Sequence, residues 1–330
     1  MPVIDIHSHY VPREWPDLAA SCGGSDWPSL RVDSPTEATI MLGEKEFRRI
    51  TDACWNADRR LADMDTDGVD IQVVSPTPVF FSYGRSAEAA TQVSAIFNDL
   101  ALEITGQSPD RLVPFCQVPL QDVDAACREL DRSMANGHRG VEIGNHVGDH
   151  DLDDEAVVAF LQHCAQTSVP VFVHPWDMPT SARLDRWMSQ WLVGMPAETH
   201  LSVLALILGG AFDRLPSTLR IAFAHGGGSF AFWTGRADNA WHNRNDIVRG
   251  RSERPPSTYT DRFSVDSVVF DPAALQLLVH VMGVGRVMMG SDYPYPLGER
   301  PAGSVIRSSN LPSDHQAALL GANAERFLGL

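Results

Sequence analysis

Eight short runs rich in Val, Ile or Phe recur along the 330 residues, with stretches of helical periodicity between them. The runs are Val3–His7, Asp70–Ser75, Leu112–Val118, Gly140–Gly144, Val169–His174, Arg220–His225, Ser267–Phe270 and Arg286–Gly290. Most are bounded by Gly, Pro or Asp, which is the length and punctuation of buried strands. Helical patterns occupy Asp58–Asp67, Ser86–Thr105, Asp122–Asn136, Asp153–Gln166, Thr199–Ala211, Pro272–Val281 and Ser313–Leu320. Gly68 and Gly137 read as helix stops, and Asp153 and Ser313, with acids following, read as residues of N-cap regions. Strand and helix alternating eight times is the pattern of an α/β protein of the TIM-type (β/α)8 barrel class. A doubly wound sheet competes, but its first strand would usually run into a glycine-rich phosphate loop; here it runs into HSH. The later GGGS at Gly226–Ser229 lacks a phosphate-loop lysine and reads as a tight turn. Residues 10–50 break the rhythm and are expected to form a small β-rich insertion over the mouth of one barrel domain spanning 1–330.

In such a barrel the strand ends meet at one mouth, so what each run ends on matters. His7 and His9 follow the first run in VIDIHSH, His174 ends VFVHPW, His225 ends IAFAHGGG, and Asp292 follows MMGS. Residues two apart in a strand share a face, so His7 and His9 point the same way. His-x-His alone is a weak signal. Singly, His174 reads as well as a core histidine and Asp292 as a turn cap. Five such residues at equivalent positions point to a site for one divalent, zinc-like ion. An ion with an open position lowers the pKa of bound water towards ~7. One of the four histidines is better used as an acid/base, because imidazole exchanges protons near neutrality. Of the remaining histidines only His146, after the fourth run, has a route to the mouth; the others read as solvated.

Composition narrows the partners. Lys plus Arg is 26 against 42 Asp plus Glu, a formal charge of −16. That disfavours nucleic acid and anionic membrane, and an anionic small-molecule substrate needs local arginines. The five cysteines form no CxxC, which suits free thiols in a reducing cytoplasm. The N-terminus has no signal-peptide pattern, and no run of apolar residues reads as a transmembrane helix.

VIDIHSHYVP, VFVHPWDMP, FAHGGGSFAF and MGSDYPYPLGE resemble the amidohydrolase superfamily. They look most like its decarboxylase branch, above all the members acting on α-amino-β-carboxymuconate-ε-semialdehyde. QVPLQD, IGNH, DLDD and MPAET extend the resemblance over nearly the whole chain. HSH and GSDYP are moderately specific; HPWDM, HGGGSFAF and IGNH together are far more so. The resemblance implies one Zn2+ per chain held by His7, His9, His174 and Asp292, with His225 as the acid/base. It implies that Arg48 binds a substrate carboxylate and that Arg236 reaches the neighbouring site of a homodimer. The residues themselves do not choose between adjacent Arg48 and Arg49. Glu142, in VEIGNH, departs from the family by placing a carboxylate where an amide is expected, which bears on the substrate.

The activity implied is non-oxidative decarboxylation of an unsaturated or aromatic carboxylate. Hydroxide addition and direct polarisation of a substrate oxygen both remain open. A mononuclear zinc hydrolase of an amide, lactone or ester is a second reading. A two-metal hydrolase would need a lysine bridging its ions, and is disfavoured because the single lysine, Lys45, lies in the insertion. A non-catalytic metal-stabilised protein is the third, and His225, not needed as a fourth ligand, argues against it.

Overall fold

A computed structural model describes residues 1–330. Its strands in chain order are β1 (Ile4–Asp5), β2 (His9–Tyr10), β3 (Pro28–Val32), β4 (Glu37–Leu42), β5 (Lys45–Thr51), β6 (Ile71–Pro76), β7 (Leu112–Cys116), β8 (Gly140–Gly144), β9 (His146–Val147), β10 (His150–Asp151), β11 (Val171–His174), β12 (Ile221–Phe223), β13 (Ser264–Asp266) and β14 (Val287–Met288). The barrel order is β1-β6-β7-β8-β11-β12-β13-β14, with β2 also on β6 and every pairing parallel. The seam closes where the Ile6 N–H donates to the Met289 carbonyl, the His9 N–H to the Tyr293 carbonyl, and Ser8 bridges Tyr293. This is the (β/α)8 barrel the alternation predicts.

Helices cover the outside, and their ends follow local chemistry. Asn56, Ser86, Asp122, Asp154 and Asp271 each accept a backbone N–H of the first turn that no helical carbonyl can reach. Gly68 and Gly137 end their helices in the left-handed conformation, as the sequence predicts. Between strands and helices lies the main apolar core, including Val141, Ile143, Leu206 and Phe212. A second cluster fills the barrel itself: Ile4, Ile6, Val73, Phe115, Phe172 and Met288 meet there, and Phe327 and Leu328 of the last helix join them. Fully burying Phe115 or Phe172 contributes about 1.5–3 kcal/mol each.

Residues 28–51 form an antiparallel sheet, β3-β4-β5, with Leu30 opposite Ile40 and Ile40 opposite Arg48. Its apolar side packs on Val79, Phe80 and Phe97.

Three expectations are corrected. The seventh strand is Ser264–Asp266, not Ser267–Phe270. The sixth ends at Phe223 and the eighth at Met288, so His225 and Asp292 stand beyond their strands, both in the left-handed region (φ 54° and 57°). The helix expected at Thr199–Ala211 runs Met195–Leu208, continuing a π-turn at Gln190–Gly194. That stretch is long and apolar enough to cross a membrane by composition. It is nevertheless a barrel helix: Val203, Leu206 and Ile207 pack in the main core, and Thr199 and Ser202 are buried with them.

Candidate active site

The first strand breaks, and the break aims its histidines. Ile4 and Ile6 face the barrel interior while Asp5 faces outward. Strict alternation would then turn Ser8 inward and both histidines out. Instead the alternation slips between Ile6 and His7, and the Asp5 carboxylate accepts the His7 N–H at 3.1 Å. Asp5 also accepts from the Ser291 N–H and Oγ–H and from Gln72. Behind the turn sits Arg60, fully buried, donating to Ser8 Oγ, Gln72 Oε1 and the His9 carbonyl. His7 and His9 are thereby turned to the interior by a hydrogen-bonded frame outside it.

Four donors converge. Ligand atoms of His7, His9, His174 and Asp292 all lie within 4.8 Å of one another. His7 Nε2 is 3.2 Å from His9 Nε2, and Asp292 Oδ1 is 3.5 and 3.3 Å from them. The His174 ring centroid is 5.1 Å from that of His7 and 4.8 Å from that of His9. His225 stands to one side, its Nε2 3.8 Å from Asp292 Oδ2.

The proton inventory of this cluster fits a cation. The His7 Nδ1–H donates to Asp266 at 2.6 Å, and the His174 Nδ1–H to the Pro175 carbonyl at 3.0 Å. In neutral rings that leaves each Nε2 a lone pair, facing another imidazole nitrogen and a carboxylate. Burial holds His9 down at about 4 and His174 well below the ordinary range, so both stay neutral. Burial also pulls on His7, but Asp266 and Asp292 outweigh it and raise its pKa. Asp292 is pushed up by burial yet held well below the usual carboxylate range by His225, His9 and His7. Two neutral rings, a third ring beside two carboxylates and an ionised Asp292, packed this closely, fit one divalent ion held by three imidazoles and one carboxylate.

Asp266 is the residue that sequence reasoning missed. It ends β13, and its carboxylate accepts from His7 Nδ1 and from the backbone N–H groups of His225 (2.9 Å), Gly226 (2.8 Å) and Val268 (3.0 Å). One buried side chain thus fixes the ring of His7 and the unusual backbone of His225. The available signal was an acid in FSVDS, at the end of what proves to be the seventh strand.

Above the cluster is a cavity of about 580 Å³, walled by the barrel mouth and the insertion. The Arg48 guanidinium stands there, 4.4 Å from the Tyr295 ring centroid and without an ion-pair partner in the chain. Adjacent strand residues face opposite ways. Arg49 is accordingly exposed at the rim and shared with a groove holding Asp33 and Glu37 on the other side of the sheet. Arg236 does not line the cavity. It is exposed on the helix Phe230–Asn243, within 6.0 Å of the Trp233 ring. His146 does not reach the cavity either; its Nδ1 bonds the Gly148 carbonyl. His138, read as solvated, is buried.

A family model described as amidohydrolase matches residues 4–330. The chain belongs to the amidohydrolase family. Within that family its similarities fall in the decarboxylase branch. This amidohydrolase is 38% identical over 329 residues to 2-amino-3-carboxymuconate-6-semialdehyde decarboxylase of Dictyostelium discoideum, covering 99% of the chain and 91% of the relative. Among solved structures, 5-carboxyvanillate decarboxylase from Sphingomonas paucimobilis superposes with a TM-score of 0.82 at 25% identity, covering 100% and 99% of the two chains. Dihydroxybenzoic acid decarboxylase from Polaromonas sp. JS666, with bound manganese and the inhibitor 2-nitroresorcinol, shares the fold (TM-score 0.79, 20% identity, coverage 100% and 97%).

Proposed function

We propose that this amidohydrolase is a metal-dependent carboxy-lyase. Its proposed substrate is 2-amino-3-carboxymuconate-6-semialdehyde or a close unsaturated or aromatic analogue, decarboxylated without an oxidant. The observation that carries the reading is the convergence of four donors and one further histidine beneath a cavity holding an unpaired arginine. The full-length similarity to the Dictyostelium decarboxylase supplies the substrate class.

His7, His9, His174 and Asp292 would hold one ion, which we assign as Zn2+ from the nitrogen-rich donor set. Once bound, the ion supplies Lewis acidity that stabilises negative charge on a substrate oxygen. Arg48 pairs with a substrate carboxylate and fixes its orientation. Trp176, Trp191, Leu192 and Val269 give the cavity apolar wall, which lowers the local dielectric around that pairing. As the C–C bond to the carboxylate breaks, its electron pair stays on carbon and CO2 leaves. His225, held at the cavity wall by Asp266, delivers the proton that replaces the lost carboxylate.

Arg236 enters this scheme from a second copy. Its helix exposes Phe232 (70%) and Trp233 (45%) beside it, apolar surface suited to a homodimer interface. A two-metal hydrolase would lack its bridging lysine, since Lys45 is exposed at the start of β5.

Purified protein with metal content measured by elemental analysis, incubated with 2-amino-3-carboxymuconate-6-semialdehyde, tests the proposal. CO2 released in step with substrate loss, and abolished by chelation, supports it. A hydrolysis product, or no CO2 from metal-replete protein, overturns it.

A further inference from the structure

The ring nitrogens that face away from the four-donor cluster are not treated alike. His7 Nδ1 is fastened by Asp266 and His174 Nδ1 by the Pro175 carbonyl. His9 Nδ1 is buried and has no hydrogen-bond partner among the protein's atoms. Glu142 Oε1 lies 3.8 Å from it. Glu142 is itself fully buried, and neither of its carboxylate oxygens accepts a hydrogen bond.

Of the other buried polar side chains with unpartnered atoms, two lie close by in the barrel wall. Both amide atoms of Gln117 lack partners, and so does the Ser75 hydroxyl. All of them belong to one patch of barrel wall. Ser75 on β6 is in register with His9. Cys116 is in register with Val141, which sets Gln117 beside Glu142 one residue further along. A buried polar group left unpaired costs about 1–3 kcal/mol. A barrel wall that carries several together implies that they serve one another and the site.

We propose that Glu142 is a positioning residue for His9: its carboxylate accepts the Nδ1–H and turns Nε2 towards the donor cluster. Gln117 and Ser75 donate to the same carboxyl group, whose oxygens are otherwise unpaired. The distance to His9 exceeds a normal hydrogen bond by about 1 Å, so the role requires the glutamate side chain to turn towards the ring. Such outer partners fix the tautomer and orientation of a ligating histidine and raise its basicity. Glu142 does not line the cavity, so it acts through His9 and not on substrate. The Pro76 carbonyl also approaches the His9 ring, without hydrogen-bonding Nδ1, and is the rival for this role.

The inference rests on His9 being a metal donor, as proposed above. The test uses metal-free protein: Zn2+ titrated against a chromogenic chelator, and urea unfolding, for wild type, Glu142→Gln and Glu142→Leu. Glu142→Leu should weaken Zn2+ binding about 10–100-fold. Its metal-free stability should change little: His9, Gln117 and Ser75 lose an acceptor, but a fully buried carboxyl is removed with it. Glu142→Gln, whose carbonyl oxygen accepts the same N–H, should recover most of the affinity. Wild-type affinity in Glu142→Leu overturns the inference and leaves Pro76 as the sufficient partner. Parallel loss of affinity and metal-free stability, with no recovery in Glu142→Gln, also overturns it by marking a merely structural role. Failure of the wild type to bind Zn2+ overturns the metal reading, and this inference with it.

Discussion

Replacing Asp266 by asparagine keeps shape and volume but converts one acceptor oxygen into an NH2 donor. The carboxylate receives four hydrogen bonds, at 2.6, 2.8, 2.9 and 3.0 Å. If the amide nitrogen takes the Oδ1 position, the Gly226 and Val268 N–H groups both lose their acceptor. At about 1–3 kcal/mol for each unsatisfied buried donor, that orientation costs about 2–6 kcal/mol. If it takes the Oδ2 position, only the His225 N–H is orphaned, for about 1–3 kcal/mol. His7 must then present a lone pair at Nδ1 and carry its proton on Nε2, the nitrogen facing His9 and Asp292. The cheaper orientation therefore spoils His7 as a donor. The expected result is a loss of about 1–3 kcal/mol in urea unfolding of metal-free protein and at least a 10-fold loss of Zn2+ affinity. Stability within about 0.5 kcal/mol of wild type, together with unchanged Zn2+ affinity, would refute the account of Asp266 as the hub of the site.

His225→Ala should retain the ion but lose about 10²-fold or more in turnover; elemental analysis beside a CO2 assay checks this, and full activity would remove His225 from proton transfer. Asp292→Ala should lower Zn2+ occupancy, and unchanged metal content would exclude it as a ligand. Arg48→Ala should raise KM well above that of Arg49→Ala, and mixing Arg48→Ala with Arg236→Ala chains should recover activity through dimers with one intact site. No recovery in mixed dimers shown to form counts against sharing. Arg60→Met should cost about 3 kcal/mol or more in chemical denaturation, at about 1–3 kcal/mol for each buried acceptor left unpaired, because Ser8, Gln72 and the His9 carbonyl lose a buried donor; a loss under about 1 kcal/mol would show that the HSH turn holds itself.

The barrel and the four donors were legible because each rests on local pattern. Apolar runs of strand length mark the wall, and glycine or N-cap residues mark the helix ends. Asp266 was not legible because the most apolar run nearby, Val268–Phe270, drew the strand assignment three residues too far along. Those residues face the cavity instead, and Phe270 is 57% exposed with φ 61°. The true strand, Ser264–Asp266, carries polar residues whose burial only the hydrogen bonds explain. The start of the helix Met195–Leu208 was not legible because it runs on from the π-turn at Gln190–Gly194 and no capping side chain marks it. The choice between Arg48 and Arg49 required the strand's facing, set by β4 pairing and not by the residues themselves.

The seam of the barrel joins Ile6, Ser8 and His9 to Met289 and Tyr293, and the cluster spans that seam with His7 and His9 on one side and Asp292 on the other. During synthesis on the ribosome, the two histidines emerge early and wait for a carboxylate made nearly three hundred residues later. No nascent fragment can assemble all four donors, so the chain gains its full hold on an ion only when its last strand docks.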